Sequence, residues 1–268
     1  MEFDWINKRV LITIRTYPVP AQKGIEVSCT AGITDDGQWI RLFPVPYRFL
    51  EKGQRFKKYQ WIDVSVKKAP DDTRPESFKL NPDTIKVIST VSTDDQWLAR
   101  KMRILPLKCT SLCEMERKRQ VDGFPTLGIF KPARIKRLLI VPCDAKWTRS
   151  QGAALGQQLL FGKNTPRDTL EKIPYEFRYE FKCDDVGCTG HNMMCTDWEI
   201  GESYRKWSQE YESKWEAKFR KRYEEEMINK CDTHFYVGTV HGHPGAWIIV
   251  GLFYPPHAST LDFYGSRS

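Results

Sequence analysis

Four side chains with affinity for soft metals fall within "FKCDDVGCTGHNMMCTDWE": Cys183, Cys188, His191 and Cys195. Thiolate and imidazole are the donors zinc takes, in tetrahedral sets of four. The spacing is C-x4-C-x2-H-x3-C, which differs from the common zinc fingers, so residue type rather than a motif carries the assignment. Gly187 and Gly190 let the backbone wrap around an ion. A closed set of four protein ligands makes the expected zinc structural, since a catalytic zinc keeps a position open for water. Cys195 falls where a strand is expected and could instead be an ordinary buried thiol. His241 or His243, from the turn "HGHPG", is then the alternative fourth ligand. Buried thiols without a metal, or a redox pair, are the competing readings. Cys109 and Cys113 could share a helix face, but no histidine lies near them in sequence and they read as core.

Two carboxylates, Asp197 and Glu199, follow in "CTDWEIG". If the strand runs on, Cys195, Asp197 and Glu199 share one face. Such a pair can hold Mg²⁺ in a metal-dependent nuclease, with the His241/His243 turn nearby. Alternatively, both acids sit at the N-terminus of the following helix, where negative charge is favourable. No lysine completes a D-x-E-x-K core, because Ile200 and Gly201 follow. Phosphate-binding loops, dinucleotide fingerprints, the serine elbow and the zinc-deaminase pattern are absent. The chain therefore reads as a binding protein before it reads as an enzyme.

The charge points to a polyanion. The chain carries 42 Lys+Arg against 34 Asp+Glu, a net charge of +8. Between residues 101 and 150 the basic excess is largest. Cations alternate with aromatics at Trp39, Arg41, Phe43, Arg48, Lys57 and Lys58, and recur at Lys131, Arg134, Lys136 and Arg137. Arginine beside an aromatic ring on a strand stacks bases and pairs phosphates. The same pattern suits a core with Arg41 at its rim, a solvated basic surface, or an acidic protein partner. DNA and RNA are not separated by any of these features.

These residues need elements to hold them. "RVLITIRTY", the two runs around "DDG", "YQWIDVSVKK" and "TIKVISTV" alternate as short strands. "KAPDDTRPESFKLNP" reads as a loop. Helices are expected at "TDDQWLARKM" and "CTSLCEMERKRQV", then strand at "TLGIFKPARIKRLLIVP". "YEFRYEFKC" and "MMCTDWEI" flank the cysteine loop as strands. Tyr204, Trp207, Tyr211, Trp215, Phe219, Tyr223 and Met227 then recur at helical spacing, as one apolar stripe. "THFYVGTV" and "GAWIIVGLFYPP" close the chain as strands. The fold class is α+β: a basic N-terminal small antiparallel β-barrel, OB-like, over residues 1–143, a connector over 144–173, and an α+β domain over 174–268. That last domain joins an antiparallel sheet to one long amphipathic helix. No apolar run is long enough to span a bilayer and no signal-peptide pattern opens the chain, so a soluble cytoplasmic protein is expected. Eight cysteines in that setting argue against a disulfide framework.

The segment "CTAGITDDGQWIRLFPVPYR", residues 29–48, resembles the barrel segment of dual OB-like domain proteins found in prokaryotic conflict and mobile-element loci. The resemblance rests on the small-residue turn and the G-x-W-I-R strand. It implies an OB-like barrel and nucleic-acid binding in a defence setting, and no catalytic residue. "DWEIG" and "WIIVGLFYPP" resemble segments of uncharacterised bacterial and archaeal proteins.

Overall fold

A computed structural model describes residues 4–21, 26–161 and 169–257, without the side chains of 156–161. Residues 162–168 of the expected connector lie outside the described residues.

The alternating runs of the first half form β1 (Ile6–Arg15), β2 (Val19–Pro20), β3 (Glu26–Thr34), β4 (Trp39–Val45), β5 (Gln60–Lys68), β6 (Ser77–Leu80) and β7 (Lys86–Thr90). Five of them close a barrel in the order β1-β3-β4-β6-β5, with β5 returning to β1. β2 extends β3, and β7 extends β5. Inside lie Val10, Ile12, Ile40, Leu42, Phe56, Ile62, Val64 and Val66. Gly32 lets β1 and β3 approach, since a Cβ there would sit 2.2 Å from the Leu11 carbonyl oxygen. The barrel is mixed rather than wholly antiparallel. Its closing strand β6 pairs β4 in parallel and lies inside the stretch expected to be loop.

α1 (Asp94–Ile104) opens with a left-handed turn over Asp95, Gln96 and Trp97. This conformation costs roughly 1–2 kcal/mol per residue. It sets Trp97 against Tyr59, Phe253 and Tyr254. Then come β8 (Lys108–Cys109), α2 (Leu112–Asp122), β9 (Leu127–Phe130), β10 (Arg134–Pro142), α3 (Arg149–Phe161), β11 (Tyr175–Lys182) and β12 (His191–Met194). The aromatic-striped run is helical as α4 (Trp198–Tyr211), α5 (Trp215–Arg220), a π-helical turn over Lys221–Glu226, and α6 (Met227–Asn229). It doubles back at Glu212, whose φ is 47°. The Ser203 and Tyr223 hydroxyls therefore meet at 2.8 Å, whereas an unbroken helix would hold them about 30 Å apart. β13 (His234–Val240) and β14 (His243–Phe253) complete the fold.

Two further sheets result, β10-β11-β12 and β14-β13-β9-β8. The first buries Phe177, Tyr179 and Phe181 under Trp215, Phe219 and Tyr223 of the folded-back helices, with Phe177 stacked on Phe219 at 4.5 Å. The second lies over the outside of the barrel. Leu11, Ala31, Ile33 and Tyr59 there share one core with Leu127, Ile129, Tyr236, Val250 and Phe253. Among the described residues no helix is long and apolar enough to cross a membrane.

Candidate metal centre and the interdomain cations

Cys183 follows the end of β11, Cys188 lies in the loop, and His191 opens β12 opposite Phe181. Gly190 takes a φ of +106° there, a conformation that side chains other than glycine's rarely accept. The fourth corner is Cys113, in the first turn of α2. The Sγ atoms of Cys113, Cys183 and Cys188 each lie 3.4 Å from His191 Nε2. All four donor atoms fall within 4.8 Å of one another. A tetrahedral zinc with Zn–S of about 2.3 Å and Zn–N of about 2.0–2.1 Å requires S···N edges of about 3.5–3.6 Å. The three equal edges fit that ion, and the Cys3His cluster can hold a metal such as zinc.

Amide donors favour thiolates here, while burial opposes them and raises the Cys183 pKa as well. Ser111 caps α2 by accepting from the Glu114 amide at 3.0 Å. That leaves Cys113 among the amides of a helix N-terminus, which favour a negative sulfur. The Cys183 amide donates to Cys188 Sγ at 3.2 Å. Burial pushes the Cys188 thiol up, but the Cys183 and Gly190 amides outweigh it and hold its pKa below the ordinary value. Cys113 is pushed up to about 12, by burial and then by its neighbour Cys183, so it holds its proton unless a bound cation displaces it. Burial lowers the His191 pKa, which keeps the imidazole neutral for ligation. Phe181 stacks on that ring at 5.0 Å and fixes its plane.

Cys195 is not part of the cluster. It shares a strand face with His191 but lies four residues along, roughly 13 Å at 3.3 Å per residue. Its amide bonds the Phe177 carbonyl at 2.7 Å, and its thiol is buried in the aromatic core. His241 and His243 are not part of it either. They sit at the β13–β14 turn, His241 Nδ1 being 3.8 Å from Asp72 Oδ2. Cys113 replaces them. The capping pattern S-x-x-E at Ser111–Glu114 was its one available signal, because it puts a cysteine where a helix stabilises anions.

Asp197 takes the helix-capping role. The strand stops at Met194, and Asp197 caps α4 by accepting from the Glu199 amide at 2.7 Å. Its other oxygen accepts from the Leu252 amide at 2.9 Å and from Lys58 Nζ at 3.0 Å. Lys58 also donates to Glu199 Oε2 at 3.3 Å and to the Leu252 carbonyl at 3.2 Å. The ammonium's three protons are thus matched by three acceptors. Burial opposes the Lys58 charge, but Asp197 and Glu199 outweigh it and raise its pKa well above the ordinary value. Asp197 is fully buried, while Glu199 remains partly exposed. His243 lies nine residues up β14 from Leu252, roughly 30 Å away.

Of the residues expected to meet nucleic acid, the structure places several inside. Arg41 is buried, 3.2 Å from Glu76 and donating to the Thr126 carbonyl at 3.1 Å. Lys58 is buried as described. Trp39 is half-buried, edge-on to Tyr236 at 6.1 Å. These residues hold the second sheet against the barrel, and an arginine among apolar neighbours on a strand reads the same for a protein partner as for a phosphate. Arg15 adds to this seam, sandwiched between Tyr47 and Trp198 at 4.1 and 4.2 Å. Arg48 pairs with Glu26 at 3.0 Å. Phe43 and Lys57 are exposed. Lys131 is exposed beside Asp232, and Lys136 and Arg137 are exposed beside Glu180. Arg134 is exposed as well.

Fold and site define a two-part α+β protein, a five-stranded barrel covered by a unit that carries a Cys3His cluster. The chain belongs to the family described as Domain of unknown function (DUF8757), whose model matches residues 108–266. Residues 6–106 match a second, Domain of unknown function (DUF8758). All four cluster residues lie within the first match, and β1 through α1 make up the second. A comparison with curated proteins finds no match.

Proposed function

We propose that this is a nucleic-acid-binding protein whose C-terminal half is pinned by one structural zinc. The zinc assignment is supported by the four-ligand closure, which leaves no position for a reacting water. The nucleic-acid reading is carried by one observation: Lys131, Arg134, Lys136, Arg137, Lys146 and Arg149 all face solvent along β10 and just beyond it. Asp144 is the one acid in that stretch, and Asp232 and Glu180 answer only part of the charge. An excess of cations along one strand follows a phosphate backbone. The resemblance of residues 29–48 adds a prokaryotic defence or mobile-element setting to the proposal.

A metal-dependent nuclease is the second reading. Lys58 favours it by supplying from the barrel the cation that the sequence lacks beside Asp197 and Glu199. Partly exposed Glu199 is the carboxylate available to Mg²⁺ in that case.

One titration tests both. The protein is added to labelled single- and double-stranded DNA and RNA, with Mg²⁺ or with EDTA, and run on native and denaturing gels. A salt-sensitive shift without shortening is expected. Arg134→Ala with Arg137→Ala should weaken it about tenfold and lower the salt slope by about one per lost phosphate contact. Mg²⁺-dependent shortening that Glu199→Gln abolishes would replace binding by cleavage. No shift under any condition would overturn the nucleic-acid reading and leave a protein partner for the basic face.

A further inference from the structure

A cleft of about 410 Å³ opens where the β3–β4 turn meets the segment leading into β9. Trp39, Phe78 and Phe124 line it with Asp36, Gln38 and Lys8. Phe124 is 55% exposed, although a phenylalanine without a partner gains by burial. Tyr236 holds Trp39 from the protein side. The Thr34 hydroxyl, and Lys8 more weakly, favour the charged form of Asp36, which makes it an acceptor. The Gln38 side chain, exposed beside it, offers both a donor and an acceptor.

We infer that this cleft takes one unpaired nucleobase, stacked on Trp39 and Phe124 and read along its polar edge by Asp36 and Gln38. The inference rests on the proposed nucleic-acid binding and deepens it. Aromatic walls suit any base face. A carboxylate accepts from an exocyclic amino group, whereas the N3–H of uracil or thymine lies between two carbonyl oxygens that repel it, so adenine, cytosine or guanine is favoured. The volume lies in the range of small-ligand sites, and a stacked duplex would not fit. Lys8 at the rim is placed for the adjoining phosphate. The base must therefore come from a single strand or a looped-out position.

Fluorescein-labelled octamers of A, C and U ribonucleotides, titrated into the full chain and followed by anisotropy, test this. The A and C octamers should bind more tightly than U. Phe124→Ala removes an exposed ring and should leave the fold intact while weakening A and C binding about tenfold. Asp36→Asn should narrow the gap between these octamers and U. Octamer binding that Phe124→Ala and Asp36→Asn leave unchanged would overturn the cleft, as would longer nucleic acids shifting while no octamer binds. In both cases the basic-face proposal would stand. Failure of every nucleic acid to bind would overturn the two together.

Discussion

The Cys3His cluster and the Lys58–Asp197–Glu199 cluster are both partly buried groups of chemically capable side chains, yet they are finished differently. Around Lys58 each polar partner is already met by protein: three acceptors for the ammonium, and donors on both Asp197 oxygens. Around His191 three sulfurs converge on one nitrogen at equal distance, with backbone amides as donors to Cys183 and Cys188. The first arrangement is complete as it stands. The second is a set of donors that could take a cation at its centre. Residue type suggested chemistry at both places; the Lys58 ammonium already at the centre of the first separates them.

The largest effect expected from this contrast is at the sulfurs. Cys113→Ser should lose the metal, and with it much of an apparent stabilisation of about 10–16 kcal/mol for structural zinc. Cys195→Ser should retain one zinc per chain. Metal content by mass spectrometry decides, and the opposite pattern would return Cys195 to the ligand set. Next comes Lys58→Met, which leaves Asp197 buried without its cation and should cost about 3–5 kcal/mol. That corresponds to a melting temperature lower by roughly 10 °C. Glu199→Gln, at the exposed end of the same cluster, should cost less than about 1 kcal/mol. Equal melting of the two variants would erase the distinction between a saturated clamp and its rim.

The smallest effect is at Glu116, which ties α2 to β14. Arg119 above all, and Trp247 Nε1 at 2.6 Å, hold its pKa down to about 2. The folded form binds its proton less readily than the unfolded chain. Its contribution is therefore full above the ordinary carboxylate pKa of about 4.5 and lost as pH falls through about 2. Glu116→Gln should melt about as wild type does only below about pH 2 and at most about 1 kcal/mol less stably near neutrality. A constant difference across that range would assign its role to packing.

Much of the fold was legible because its strands alternate: β1, β3, β4, β5, β11 and β13 fall where the hydrophobic period puts them. β6 was hidden by its flanks. Ser77–Leu80 sits between Pro75 and Pro82 among charged residues, and it is a strand because β4 and β5 leave a gap for it. The reversal at Glu212 was hidden too, since an apolar stripe has the same period in a straight helix and in a folded-back pair. At the candidate metal centre, three of the four residues lay around one loop and could be read. The fourth lies on another element, where spacing carries no information. Arg41 and Lys58 show the reverse: the residue types were informative, but whether their partner was a phosphate or the chain's own second half depends on contacts among residues far apart in sequence.

The distance of Cys113 along the chain would give a bound metal a topological meaning. His191 lies 78 residues beyond Cys113, so an ion bound to both closes a ring through β9, β10, α3 and β11. Closing a loop of that length removes chain entropy from the unfolded ensemble worth about 4–5 kcal/mol, as a disulfide would. A bound ion would thus be a cross-link that a chelator could undo without a reductant, and it would form only after α2 and the β11–β12 hairpin have found each other.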